Sequence, residues 1–236
     1  MRGCTRRLNP TIENILSLNS GKINECNTYA GIEIENILIT DSSFKVRYRL
    51  SQVGTRIINN VVDFTNYVLY DIGQPLHAFD RDKLFGEISV RFAEANEKLL
   101  TLDNQQRKLS TDDLIITADN KPVALAGVMG GLNSEVTSET SNLLIESAYF
   151  DKVSVMNTSR KLNLISDASI RFERGIDHKL QILGINRFIS IFEDEQEIAY
   201  SLPIADTKKD LTPKKVTFKR GEIYKLIGIN LKDDFI

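Results

Sequence analysis

The order of apolar and polar positions changes character along the chain, and each change predicts a different kind of element. Ile12, Ile15 and Leu16 stand at helical spacing before Asn19-Ser20-Gly21, which predicts a short helix and a stop. Val46, Leu50 and Val53 mark one face of a helix closed by Gly54, and Val61, Val62, Val68, Leu69 and Ile72 mark a second closed by Gly73. From Ile88 the period becomes two: Ile88, Val90 and Phe92 alternate with polar neighbours, and short apolar runs follow at 99–102, 114–117 and 123–126. Asp103-Asn104 and Asp119-Asn120-Lys121-Pro122 separate these runs as turns. Leu143 to Phe150 predicts another strand. Val153, Val155, Met156 and Leu162 predict a helix after Asp151, and Leu180, Leu183, Phe188 and Phe192 a longer one.

Helices, then strands, then helices, without βαβ alternation, predict an α+β fold. Its expected core is strand-rich, made of short, mostly antiparallel and mixed strands, with helices packed on one side and at both ends. After Pro203 a lysine-rich stretch (Lys208, Lys209, Lys214, Lys215) leads into Val216-Thr217-Phe218 and Ile223 to Gly228. The expected division is 1–25 as a linker or the end of a preceding domain, 26–202 as the central domain, and 203–236 as a linker and the truncated start of another.

Composition narrows the class of protein. The 236 residues carry 30 Lys+Arg against 32 Asp+Glu, a formal charge of −2, with 42% hydrophobic residues. Disorder and small stapled scaffolds are thereby excluded, and a near-neutral balance gives no global attraction to a polyanion. Cys4 and Cys26 form neither a disulfide framework nor a zinc site, and are expected as reduced thiols of a cytoplasmic protein. No apolar run reaches membrane-spanning length, and no secretory signal is legible.

Five features carry candidate chemistry or are weighed for it. Gly127-Val128-Met129-Gly130-Gly131 follows an apolar strand and is read either as a tight turn or as a ligand loop; it lacks the Lys and Ser/Thr of a phosphate loop. In the 143–150 strand a period of two puts Glu146 on one face with Leu144, Ala148 and Phe150. Its burial is costly unless it pairs with an arginine such as Arg171 or Arg174, serves a ligand, or lies on a solvent-exposed face. His77 lies after Pro75 in an irregular segment, as a pocket wall or a satisfied core histidine, while His178 is expected at a helix start. Arg171-Phe172-Glu173 has the Arg-x-Glu spacing of class II aminoacyl-tRNA synthetases, but no glycine-rich segment completes that active site.

Segments 60–68, 73–80, 126–131, 146–150 and 167–177 together, in this order, resemble the beta chain of bacterial-type phenylalanyl-tRNA synthetases. The resemblance runs from about Cys26 to Leu202 and covers that chain's editing domain. It implies hydrolysis of the ester that joins wrongly attached tyrosine to the tRNA for phenylalanine. Carried over by motif position, Glu146 accepts the tyrosine hydroxyl, while His77, Thr65 and Asn66 line the ester end as catalytic residues. Gly127 and Ala168 leave room for the ring and the terminal adenosine, and Ser166 stands where relatives usually have Thr. No metal or cofactor is implied for editing, ATP and Mg belonging to the full synthetase alone. The implied partners are the 3′ end of the tRNA, the alpha subunit and the remaining beta-chain domains, with no membrane. A rival expectation is a structural or tRNA-docking module whose pocket is inactive.

Overall fold

The computed structural model describes residues 17–208 and 215–229; the helix expected around Ile12, Ile15 and Leu16 lies outside them. In chain order the elements begin with β1 (Leu18–Asn19), β2 (Cys26–Glu35), α1 (Phe44–Gln52), α2 (Asn60–Ile72) and β3 (Leu76–Asp80). A strand-rich stretch follows: β4 (Ile88–Phe92), β5 (Lys98–Leu100), β6 (Gln106–Lys108), β7 (Leu114–Ala118), β8 (Lys121–Leu125), β9 (Met129–Gly130) and β10 (Leu143–Phe150). The remainder is α3 (Lys152–Lys161), α4 (Asp167–Arg174), α5 (Leu180–Glu193), β11 (Ala199–Tyr200), β12 (Ile204–Thr207) and α6 (Arg220–Ile227). The fold is α+β, as the alternation of patterns predicts.

Two sheets form the frame. The first is five-stranded in the order β1-β4-β7-β8-β9, antiparallel except for the β1–β4 pair. The second runs β11-β2-β10-β3 and is antiparallel throughout, with β12 on the same edge of β2 as β11. Alternate residues of the second sheet enter two different cores. Ala30, Ile32, Ile34, Leu143 and Ile145 pack beneath α1, α2 and α5 with Phe64, Phe188 and Phe192. Tyr29, Phe79, Leu144, Ala148 and Phe150 face the first sheet, with Val155 of α3 and Phe172 of α4. The result is a layer of helices, a sheet buried on both faces, and a second sheet.

Local chemistry explains the element ends. The Asn59 side chain accepts from the Val62 N–H to cap α2, which ends at Gly73 in the left-handed region (φ 83°). Asp151 accepts from the Val153 and Ser154 N–H groups to start α3. β7 and β8 turn through Asp119 and Asn120, both at positive φ (48° and 61°), so Lys121 and Pro122, expected in the turn, already belong to β8. The strands β2 and β3 and the helix α4 are not predicted by the pattern. The segment after Pro75 is a regular strand, because a proline just before a strand costs no ladder hydrogen bond. Residues on both sides of 26–202 join the sheets: β1 pairs with β4, β12 pairs with β2, and Ser20 donates through N and Oγ to Asp206 Oδ2, both at 2.7 Å.

Candidate functional site

The antiparallel register of the second sheet sets the site. β10 places Glu146 opposite Gly31 of β2 on one side and opposite His77 of β3 on the other. Directly paired residues project to the same face, so Glu146 and His77 both face the first sheet. There the β8–β9 turn approaches. The Leu125 carbonyl accepts from the Val128 N–H at 3.1 Å, and Gly127 at the tip has φ +69°. The stretch 127–131 is therefore a tight hairpin turn and also a wall of the site.

Between turn and sheet lies a cavity of about 60 Å³, several times the space one water needs. Glu146, His77, Phe172, Ala124 and the backbone of Gly127 line it. It adjoins an open groove of about 500 Å³ bordered by Thr65, Asn66 and Leu69 of α2 and by Ser166, Asp167 and Ala168 at the start of α4. His77, Gly130 and Ala168 border both spaces. Thr65, Asn66, His77, Gly127, Glu146, Ser166 and Ala168, the residues expected from the sequence, thus all line one continuous depression.

Glu146 is 5% exposed, and apart from His77 and the Tyr29 hydroxyl its surroundings in the cavity are apolar or backbone. Burial pushes its carboxyl up to about 8, opposed by a hydrogen bond in which Tyr29 Oη donates to Oε2 at 3.3 Å. The arginine partners considered from sequence are not used: the Arg171 guanidinium sits 5.4 Å over the Tyr70 ring, and Glu173 of the Arg-x-Glu motif is 3.9 Å from Arg160. Neither is the face solvent-exposed. His77 is half-buried, its ring edge-on to Phe79 with centroids 4.4 Å apart, and burial lowers it to about 4. At neutral pH it is an uncharged imidazole.

Other expected residues divide their duties. The Thr65 hydroxyl donates to the Val62 carbonyl at 2.8 Å, while the half-buried Asn66 amide has no hydrogen-bond partner among the described residues. Ser166 Oγ accepts from the Ser169 N–H (3.1 Å) and donates to the Val128 carbonyl (3.0 Å), so it caps α4 and ties it to the β8–β9 turn. Its hydroxyl proton is thereby committed within the fold. Gly127 does not leave open space: an added Cβ would lie 2.9 Å from Phe172 and 3.2 Å from Phe150. At Gly130 a Cβ would lie 2.6 Å from His77 Cε1 and 2.7 Å from Nε2, so that glycine makes room for the imidazole.

Much of the motif sequence is structural. Asn60 holds Thr40 and Leu38, Asp63 holds Ser42 and Ile58, and Gln74 donates to the Ala148 and Pro75 carbonyls. Tyr29 and Phe172 are the site residues that sequence reasoning missed, and Gly130, read within the glycine run as part of a turn or ligand loop, lies against His77. Among the described residues no three His, Cys, Asp or Glu side chains gather as a metal-binding group, and no helix is long and apolar enough to cross a membrane.

The family model of the B3/4 domain matches residues 25–196. The phenylalanine–tRNA ligase beta subunit of Staphylococcus haemolyticus is 42% identical over 212 residues, covering 88% of this chain and 26% of the relative. The same subunit from Carboxydothermus hydrogenoformans is 50% identical over 163 residues, covering 69% and 20%. This chain thus spans about a quarter of the length of such relatives. Among solved structures, an N-terminal fragment of the phenylalanyl-tRNA synthetase beta subunit from Pyrococcus horikoshii superposes with a TM-score of 0.55 at 14% identity, covering 96% of this chain and 64% of that one. That similarity is one of fold.

Proposed function

Since the chain belongs to the B3/4 domain family, in the form found in phenylalanine–tRNA ligase beta subunits, we propose that it hydrolyses the ester of tyrosine mistakenly attached to the tRNA for phenylalanine. A pocket built for a phenyl ring rejects the same ring with an added hydroxyl only weakly, so accuracy calls for a second site that recognises the hydroxyl. The observation that carries this reading is the position of Glu146: a lone carboxyl in the apolar wall of a small cavity, in register with His77 where the cavity meets the groove.

In this reading the aromatic ring enters the cavity and its hydroxyl meets Glu146. A phenylalanine ring would leave that carboxyl desolvated and unanswered. The ester lies at His77, and the terminal adenosine occupies the groove beside Thr65, Asn66 and Ala168. Water adds to the ester carbonyl carbon, and the bond to the ribose oxygen breaks. The ribose hydroxyl recovers a proton, and the amino acid leaves as a carboxylic acid. Neutral His77 and the Asn66 amide orient water and ester by hydrogen bonds; with its pKa near 4, His77 is a weak base, which favours orientation over proton removal. The tRNA, the alpha subunit and the other beta-chain domains are the proposed partners.

The test is incubation of the chain, at concentrations that saturate the RNA, with tRNA for phenylalanine charged with either labelled tyrosine or labelled phenylalanine. Release of tyrosine with phenylalanine spared is expected. Retention of both esters on bound RNA would replace hydrolysis by docking.

A further inference from the structure

Tyr29 is wholly enclosed between the two sheets, its ring tilted against Phe150 with centroids 6.4 Å apart. β2 sets Gly31 directly opposite Glu146 and Tyr29 opposite Ala148, which makes Tyr29 the diagonal neighbour of Glu146 on the same face. Diagonal neighbours about 7–8 Å apart are within reach of an aromatic side chain, and Gly31, lacking one, leaves the path clear. The phenol spans it and donates to Glu146 Oε2 at 3.3 Å. Oε1 has no hydrogen-bond partner among the described residues, although the side chain lines the cavity. We propose that Tyr29 is the positioning residue of the specificity pocket: by occupying Oε2 it fixes the Glu146 carboxyl with Oε1 left for the ligand, so that two phenols, one of the protein and one of the ligand, hold the two oxygens of one carboxyl group.

This rests on the editing reading and adds a residue to it. A tyrosine of the protein and a tyrosine of the substrate flank the same carboxyl, and a phenyl ring supplies only its carbon edge. The Tyr29 bond also works against the burial that raises Glu146, so its loss moves the Glu146 titration higher. A tyrosine that merely fills space would affect neither the ligand preference nor that titration.

The test uses non-hydrolysable probes, 3′-deoxy-3′-(L-tyrosylamino)adenosine and its phenylalanyl counterpart, bound to the whole chain by calorimetry from pH 6 to 10. Wild type is expected to prefer the tyrosyl probe, and Glu146→Ala to lose the preference. Tyr29→Phe keeps the ring volume, which circular dichroism and thermal melting check. It should cut the preference roughly threefold to tenfold, move its pH midpoint upward, and leave the affinity for the phenylalanyl probe unchanged. If Glu146→Ala loses the preference while Tyr29→Phe keeps both preference and midpoint, Tyr29 is packing alone and the proposal falls with the editing reading intact. No preference in wild type removes both.

Discussion

Glu146 and His77 face each other in register across the β10–β3 ladder, on the same side of the sheet. One set of backbone hydrogen bonds therefore fixes both the group proposed to read the side chain and the group proposed to meet the ester. Their ionisation is inverted from the ordinary order of a glutamate and a histidine. With the carboxyl near 8 and the imidazole near 4, both are uncharged at pH 7. An aromatic ring can thus enter without displacing an ion pair.

The raised carboxyl sets a pH dependence of stability. The folded chain keeps a proton that the unfolded chain releases between its ordinary value of 4.5 and about 8. This contribution is fully present below 4.5 and is lost as pH rises through 8. Glu146→Gln cannot titrate, so its loss of stability between pH 5 and pH 8, measured by urea unfolding, is expected to be smaller than that of wild type. Equal losses would place a charged carboxylate in the empty pocket.

Removing the carboxyl also separates recognition from bond breaking. Around pH 7 the hydrogen bond to the substrate phenol is between neutral groups and worth about 0.5–1.5 kcal/mol. Glu146→Ala should therefore lower tyrosine release roughly twofold to tenfold, and phenylalanine release less or not at all. Above pH 8 the carboxylate makes a charge-assisted bond, and the gap between wild type and variant should widen. The ratio of the two release rates, taken at pH 7 and pH 9, measures this.

His77→Ala is expected to slow tyrosine release by less than about a hundredfold, since a group with so low a pKa orients rather than abstracts. Wild-type activity should show no His77 inflection between pH 5 and 8. A loss beyond a hundredfold, or an inflection near 6.5 that vanishes in the variant, would make it a general base.

Gly130→Ala tests the imidazole's place without touching the imidazole. The new methyl group would lie 2.6 Å from His77 Cε1, so the ring must swing away while the fold stands. Tyrosine release is expected to fall as far as in His77→Ala, with little change in melting temperature, and the double variant should lose no more than either single one. Full activity in Gly130→Ala would remove His77 from the site.

Ser166→Ala is expected to act on stability more than on chemistry. It removes the α4 cap and the tie to the Val128 carbonyl, a cost of about 1–2 kcal/mol readable in thermal unfolding. Tyrosine release near saturation should change less than threefold.

What the sequence discloses of this site follows from the forces acting on each segment. β10 is legible because Leu144, Ala148 and Phe150 alternate around the single carboxyl of Glu146, and α2 because its apolar face and Gly73 stop agree. β2 is not, because both its faces are covered. With Tyr29 and Gly31 toward one core and Ala30, Ile32 and Ile34 toward the other, no alternation of apolar and polar residues survives, and buried Asn27, Thr28 and Glu33 blur it further. β3 hides behind Pro75. Tyr29 could not be singled out at all, since its significance arises only when β10 brings Glu146 beside it. The Arg-x-Glu spacing misleads in the opposite direction, its charges being spent on Tyr70 and Arg160.

The central position of β2 has a consequence for the order in which the molecule is made. Cys26–Glu35 leaves the ribosome long before any of its neighbours, β10 at Leu143–Phe150, β11 at Ala199–Tyr200 and β12 at Ile204–Thr207. At about 5–20 residues per second the wait for β10 alone is roughly 5–20 s. Through that interval an apolar strand has two unpaired edges, the condition in which strands associate with copies of themselves. Glu33 and Glu35 are then its only charges, and one of them, Glu33, finally pairs with Arg81 at 2.7 Å. A nascent chain stalled before Leu143 has both edges of β2 bare and is the species most exposed to aggregation, and one stalled before Ile204 still lacks the β12 cover on one edge.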